Sequence, residues 1–231
     1  MSRLLACAIA ACFLSACTCR ADPPERDAPA PETGRIDLPA AERKSGLPVE
    51  AALAQRRSVR RYASRALKLA EIGQLLWAAQ GINDPGGRLR TAPSAGATFP
   101  MEIYLVCGEV EGLSAGVYHY LPASHQLERT GGRDLRGPLA ETALGQSWIR
   151  EAPAVLVAAA VMARTRSRYG DRTRRYVHME AGHIAQNVHL QAESLMLGTV
   201  VVGAFDDAGV ARIMGMRAGM EPVWLMPVGG R

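Results

Sequence analysis

Thr91–Val106, TAPSAGATFPMEIYLV, is the stretch on which the fold turns. Its apolar half runs on as MEIYLVCGEV and reads as a β-strand. The half before it, Pro93–Ala97, is built of small residues. Such a segment lets backbone N–H groups approach a flat ligand closely, and it serves equally well as an ordinary turn into a strand.

Working outward, GVYHYLP (116–122) and HQLERT (125–130) read as successive strands, separated by Glu-Gly-Leu-Ser-Ala-Gly and Pro-Ala-Ser turns. APAVLVAAAV (152–161) is a continuous apolar run, as expected of a strand buried on both faces. Residues 174–197 predict one long helix with Ala and Gly on its inner face, closed by Gly198. TVVVGAF (199–205) reads as another buried strand. Residues 206–214 read as a short helix opened by an Asp cap, and PVWLMPV (222–228) as the last strand. Upstream, Val49–Gln55 and Leu69–Gln80 carry helical spacing. Helices and strands mix without regular βαβ alternation, which predicts an α+β layered domain. No internal repeat is present.

The 231 residues allow one sizeable domain, and 48% are apolar, enough for a real core. The net charge of +5 with only 5% aromatics lacks the dense basic face and stacking rings of a nucleic-acid binder. Charge instead favours a local anion site. The richest candidate is AQRRSVRRYASR (54–65), with five arginines around Ser58. Arginine forks and a Ser hydroxyl at a helix-to-extended junction match a phosphate monoester in charge and geometry. A solvated basic helix end, favoured by the C-terminal dipole, reads the same residues without a ligand.

The chain begins MSRLLACAIAACFLSACTCR. Arg3 followed by an apolar Leu4–Leu14 has signal-peptide proportions and is too short to span a bilayer. Leu14-Ser15-Ala16-Cys17 resembles a bacterial lipobox. It implies a signal peptide over 1–16, acylation of Cys17, and an anchor in the cell envelope on the periplasmic face. Thr18 after Cys17 points to the outer membrane. Residues 17–45, with Pro23, Pro24, Pro29, Pro31 and Pro39, read as a disordered tether. The folded domain is then expected over 46–231. No Cys/His spacing suggests zinc or a redox dithiol, and Cys107 reads as a buried small hydrophobe.

No G-x-G-x-x-G, P-loop, G-x-S-x-G or H-E-x-x-H pattern occurs, so Rossmann, kinase and hydrolase chemistries fall away. Glu180-x-x-His183 is a single copy of a pattern that builds metal sites only in pairs, so no metal is expected. Trp77, Trp148 and Trp224 read as core or interface residues.

RRSVRRY, PSAGATFPMEIYLV, RYGDRTRRYVHMEAGHIAQNVHLQAESLMLG, TVVVGAFDD and EPVWLMPVGGR, in this order, resemble the nitroreductase family of flavin enzymes, and its SagB-type dehydrogenase branch most of all. The resemblance implies a three-layer fold, with a central, mostly antiparallel sheet flanked by helices, in a homodimer that binds FMN at its interface. It implies that Arg56, Arg57, Ser58, Arg60 and Arg231 hold the phosphate and ribityl end. Ser94, Ala95 and Gly96 would lie along the isoalloxazine, and Gly203 and Ala204 at its N5 side. The expected reaction is ping-pong hydride transfer through flavin N5 on a small-molecule or peptide substrate. Gly182, His183 and Asn187 would pack the long helix at the dimer seam.

Arg168-Tyr169 match the Lys-Tyr proton-transfer pair of the branch's azoline-oxidising members. Arginine stays charged and is a poor base, although it can orient an anion; Tyr169 can still exchange a proton. The sequence ends at Arg231 without the arm that embraces a partner in many members. NAD(P)H, the family's usual donor, is scarce outside the cytoplasm. An exported chain therefore implies another donor, and flavin loading after export, since Arg3 stands alone. The alternative is a non-catalytic lipid-anchored binding protein that keeps the fold.

Overall fold

The computed structural model describes residues 34–231; Cys17 and the signal segment lie outside them. The seven strands are β1 (Arg35–Asp37), β2 (Met101–Cys107), β3 (Gly116–Leu121), β4 (Gln126–Gly131), β5 (Ala154–Val161), β6 (Leu197–Thr199) and β7 (Met220–Gly230). They form one sheet in the order β1-β4-β3-β2-β5-β7-β6, with every neighbouring pair antiparallel. The helices are α1 (Val49–Gln55), α2 (Leu69–Gln80), α3 (Arg136–Thr142), α4 (Ser147–Glu151), α5 (Met162–Tyr169), α6 (Thr173–Ser194) and α7 (Asp207–Ile213).

The period of two along each strand divides the core between two faces. Ile103, Leu105, Leu156, Ala158, Met226 and Val228 face one way and pack on Leu75 and Leu76 of α2 and Ile184 and Val188 of α6. Val106, Val155, Val157 and Leu225 face the other way, against Leu139, Ile149 and Val210 of α3, α4 and α7. The result is the expected three layers, helices over both faces of an antiparallel sheet. β5 sits between β2 and β7 with both faces covered, which is why its sequence needs no polar residue.

Four local expectations are corrected. The tether does not extend to Ser45: β1 pairs with β4, and Leu38 is buried in the main core. α6 ends three residues earlier than expected, and the left-handed residue after it is Met196 at φ 56°, not Gly198. Gly198 belongs to β6, where a Cβ would come within 2.5 Å of Val59 Cγ1. TVVVGAF is not one buried strand: pairing lapses after Thr199, Val202 makes an isolated bridge to Leu225, and Gly203 and Ala204 are exposed. Asp206 occupies the N-cap of α7, but its side chain makes no capping bond.

Candidate functional site

α1 ends at Arg56, whose N–H still reaches Ala52 O while its own backbone turns extended. The chain then runs along the open side of β6. Ser58 forms a parallel bridge with Thr199, Val59 N donates to Thr199 O at 2.9 Å, and Ala63 N donates to Gly230 O at 2.9 Å. Close packing of Val59 on Gly198 locks the register. Arg57, Ser58 and Arg60 are thereby held exposed at the sheet's edge.

The arginines divide by their partners. Arg65 forks onto the Glu71 carboxylate at 2.8 and 3.0 Å and belongs to the start of α2. Arg57 donates through Nη1 to Ala54 O and Arg56 O, the C-terminal carbonyls of α1, so it engages the helix end in this conformation. Arg60 lies 5.5 Å above the Trp148 ring, a cation–π distance. Arg56 faces His189 of α6; burial, and then the Arg56 charge, lower that imidazole from 6.5 to about 4. Among the described residues, Arg56, Arg57 and Arg60 form no ion pair.

Arg231 departs from its expected place. Its guanidinium is paired with the buried Glu193 carboxylate, Nη1 to Oε2 at 2.7 Å, and its N–H reaches Met196 O. A guanidinium already neutralised by a buried acid has little left for a phosphate. Arg231 therefore anchors the end of β7 to α6.

The 94–96 loop is set at the other end of the sheet. Gly96, Ala97 and Phe99 all take positive φ, at 57°, 52° and 42°, and Ser94 Oγ accepts from Phe99 N at 2.9 Å. Arg168 Nη1 donates to Gly96 O at 3.2 Å, and a Cβ on Gly96 would lie 2.5 Å from Tyr169 Oη. Arg168 and Tyr169 stand at the last turn of α5, a helix not anticipated from MARTRSRY. The structure thus brings Arg168, Tyr169 and the loop together.

One stripe of α6 supports the loop from behind. Asn187 donates to Ala78 O at 3.1 Å and Thr91 O at 3.2 Å, and His183 Nδ1 lies 3.4 Å from Pro93 O. Glu180 is buried and accepts from Gln80 Nε2 at 3.3 Å. Burial raises its carboxyl above the usual range, against the opposing effects of Ser94, Gln80 and Arg90. His183 and Asn187 therefore bond within their own chain, and Gly182 faces open space. Glu180 and His183 thus support α2 and the loop from behind.

In a single chain these two groups of residues stand apart. Thr199, beside Ser58, pairs with Val228, which pairs with Ala154 at the start of β5. Met101, just after the loop, pairs with Ala160 near the end of β5. Those two levels are about 20 Å apart along the strand.

The Nitroreductase family matches residues 53–230. The chain belongs to the nitroreductase family. It is 47% identical over 198 residues to a Methanocaldococcus jannaschii protein named as a nitroreductase, covering 86% of this chain and 97% of that one. The crystal structure of a Ralstonia eutropha JMP134 protein so named superposes with a TM-score of 0.75 at 32% identity, over 85% of this chain and 89% of the other. The Escherichia coli microcin B17-processing protein McbC is 32% identical over 155 residues, 65% of this chain and 57% of McbC. Family members are in general flavin-dependent oxidoreductases, and that general role extends to this chain.

The residues present suit the phosphorylated flavin of a nitroreductase. Arg57, Ser58 and Arg60 offer exposed donors at the sheet edge, and nothing lies within 4 Å of the Cβ position of Gly203. Trp148 Nε1 and Thr199 Oγ1, both beside the arginine run, are buried polar atoms without a hydrogen-bond partner among the described residues. Gln146 Nε2 donates to Ala204 O at 3.0 Å and fixes the Gly203–Ala204 backbone. Sequence reasoning missed Thr199, His189 and Glu193, and read Trp148 as a core or interface residue without a part in the site. Only the i, i+4 spacing of His189 and Glu193 hinted at a shared helix face.

Proposed function

We propose that this chain is an FMN-dependent oxidoreductase whose site forms between two copies. The separation of its two halves along β5 carries the reading. Neither the Arg56–Arg60 run nor the 94–96 loop completes a site alone, and one chain holds them at different levels of the sheet. A homodimer that sets the loop of one copy against the arginine run of the other supplies both. Bound FMN provides a ring that takes a hydride from a donor and passes it to an acceptor.

The chain's own residues bind, orient and handle protons. Arg56, Arg60 and Ser58 hold the phosphate end, joined by Arg57 once it leaves the α1 carbonyls. Gly203 and Ala204 present backbone at the ring's reactive edge. Ser94–Gly96 provide a flat contact without side-chain bulk. Arg168 fixes the loop through Gly96 O and offers a permanent positive charge to an acceptor. Tyr169 holds a transferable proton at Oη.

The relation to McbC favours the SagB-type branch. Arginine at 168 shifts the proton work to Tyr169 and argues against peptide azoline oxidation. Cys17 acylation would place the enzyme on the periplasmic face of the envelope, with a donor other than NAD(P)H. Among the described residues no helix is long and apolar enough to cross a membrane. Mass analysis of Cys17 peptides from a membrane fraction tests the acylation, and unmodified cysteine refutes it.

The deciding test is absorbance near ~450 nm, characteristic of bound flavin, together with the mass of the assembly in solution. A yellow dimer that loses its flavin in the Arg57→Ala/Ser58→Ala double variant is expected. A colourless chain that ignores added FMN overturns the reading in favour of a non-catalytic lipid-anchored binding protein.

A further inference from the structure

An open cavity of about 410 Å³ lies beside the loop, with Arg90, Phe99, Glu102, His119 and Arg164 among its lining residues. Its charges are unequally satisfied. The Glu102 carboxylate takes both His119 Nε2 at 2.6 Å and Arg164 Nη2 at 2.5 Å. Burial works against the charged form, but the two partners together outweigh it and hold the Glu102 carboxyl below the usual carboxylate range, ionised and committed. Arg90 has no such partner. Its Nη1 donates to the neutral Gln80 Oε1 at 2.7 Å, and its guanidinium lies 4.5 Å over the Phe99 ring. Among the described residues it forms no ion pair, although it is only partly exposed.

The other groups facing Arg90 leave that charge in place. Glu102 and Glu180 act on Arg90 through space without bonding to it: Glu102 is taken by His119 and Arg164, and Glu180 is hydrogen-bonded to Gln80, with burial pushing its carboxyl toward the neutral form. Tyr120 hydrogen-bonds His125 at 2.9 Å and carries no charge. Arg164 adds a second positive group, which opposes Arg90 across the cavity. A partly buried guanidinium without a counter-ion, opening on a cavity, is an incomplete ion pair: its desolvation is unrecovered until an anion arrives.

From this the geometry points to a carboxylate-binding subsite, with Arg90 as the residue that grips the substrate's carboxylate and Arg164 as its flank. The planar fork of Arg90 suits a carboxylate in bidentate fashion. Phe99, whose ring it covers, lies three residues beyond Gly96. A carboxylate held there directs the rest of a small acid, or of a peptide ending in a free carboxyl group, along the 94–99 loop. The cavity is of ordinary ligand size. Its relevance to turnover rests on the flavin site proposed above; its binding chemistry does not.

Titrating the full-length protein with benzoate and with benzamide, its neutral isostere, isolates the charge. The wild type should bind benzoate more tightly than benzamide by calorimetry or saturation-transfer NMR. R90Q should weaken benzoate about tenfold, the loss of one charge-assisted contact, and R90K should recover part of that loss. Equal affinity of the wild type for the two compounds, or undiminished benzoate binding by R90Q, overturns the subsite. A colourless protein that still binds benzoate through Arg90 would refute the flavin reading and leave the subsite standing. In a flavin-loaded protein, R90Q should also lower the ratio of kcat/KM for 4-nitrobenzoate over 4-nitrobenzamide. An unchanged ratio there would confine Arg90 to structure and overturn its part in substrate choice.

Discussion

Arg168 Nη1 donates to the carbonyl oxygen of Gly96 at 3.2 Å, so the last turn of α5 fastens the loop that would lie along the flavin. Arg168→Ala removes that bond and should weaken FMN binding about fivefold, the effect of ~1 kcal/mol. Tyr169→Phe keeps the ring and removes only the proton. It should lower kcat with little change in flavin affinity. Fluorescence titration and steady-state kinetics separate the two, and equal loss of flavin in both would contradict the division of labour.

Gly96→Ala should be costly. Its φ of 57° is left-handed, and a Cβ would press on Tyr169 Oη and Arg168 Nη1. The backbone conformation alone costs an L-residue about 1–2 kcal/mol. A Tm lower by at least ~2 °C is expected for a domain of this size, along with reduced flavin content. Unchanged melting would mean that the loop has room to relax.

Arg231→Ala distinguishes an anchor from a phosphate ligand. It leaves Glu193 buried with no partner, and an unpaired buried carboxylate costs about 3 kcal/mol or more. Thermal melting should show a large loss, while FMN affinity, measured below the new Tm, stays within about twofold of wild type, less than one hydrogen bond is worth. Flavin loss without destabilisation would restore Arg231 to the phosphate site.

His189 sets an acid limit on the fold. Its imidazole titrates at 6.5 when free and at about 4 when buried beside Arg56. Between those values the unfolded chain carries the extra proton, so stability is full above pH 6.5 and falls as pH drops through the window. The integrated effect is about 3 kcal/mol. His189→Gln should flatten this part of the urea-denaturation profile against pH. A wild-type profile already flat from pH 6.5 to 4 would show that the imidazole is not held neutral.

The parts of the fold legible in the sequence were those whose burial is one-sided or total. α2 and β5 were placed almost to the residue, because an apolar face or an unbroken apolar run admits few alternatives. α5 was not legible: MARTRSRY buries only Met162 and Thr165, and its last turn is fixed by contact with the loop rather than by its own pattern. Gly198 misled because a glycine after a helix usually caps it, whereas here the missing Cβ makes room for Val59. Arg231 misled for a related reason. Its partner Glu193 is far away in sequence, and no local pattern announces a buried ion pair.

The sheet is bounded on both sides by strands of three residues, β1 and β6. Each covers a longer neighbour whose unpaired N–H and C=O groups would otherwise recruit strands from other molecules. On one rim the arginine run adds a further bridge, Ser58 to Thr199. On the other, among the described residues, protection rests on Arg35–Asp37, which lie within the stretch that reads as tether. Shortening the protein to Gly46 would strip that cover from β4. The same peptide that leads toward the N-terminus therefore guards the domain against self-association, and solubility would fail before the site did.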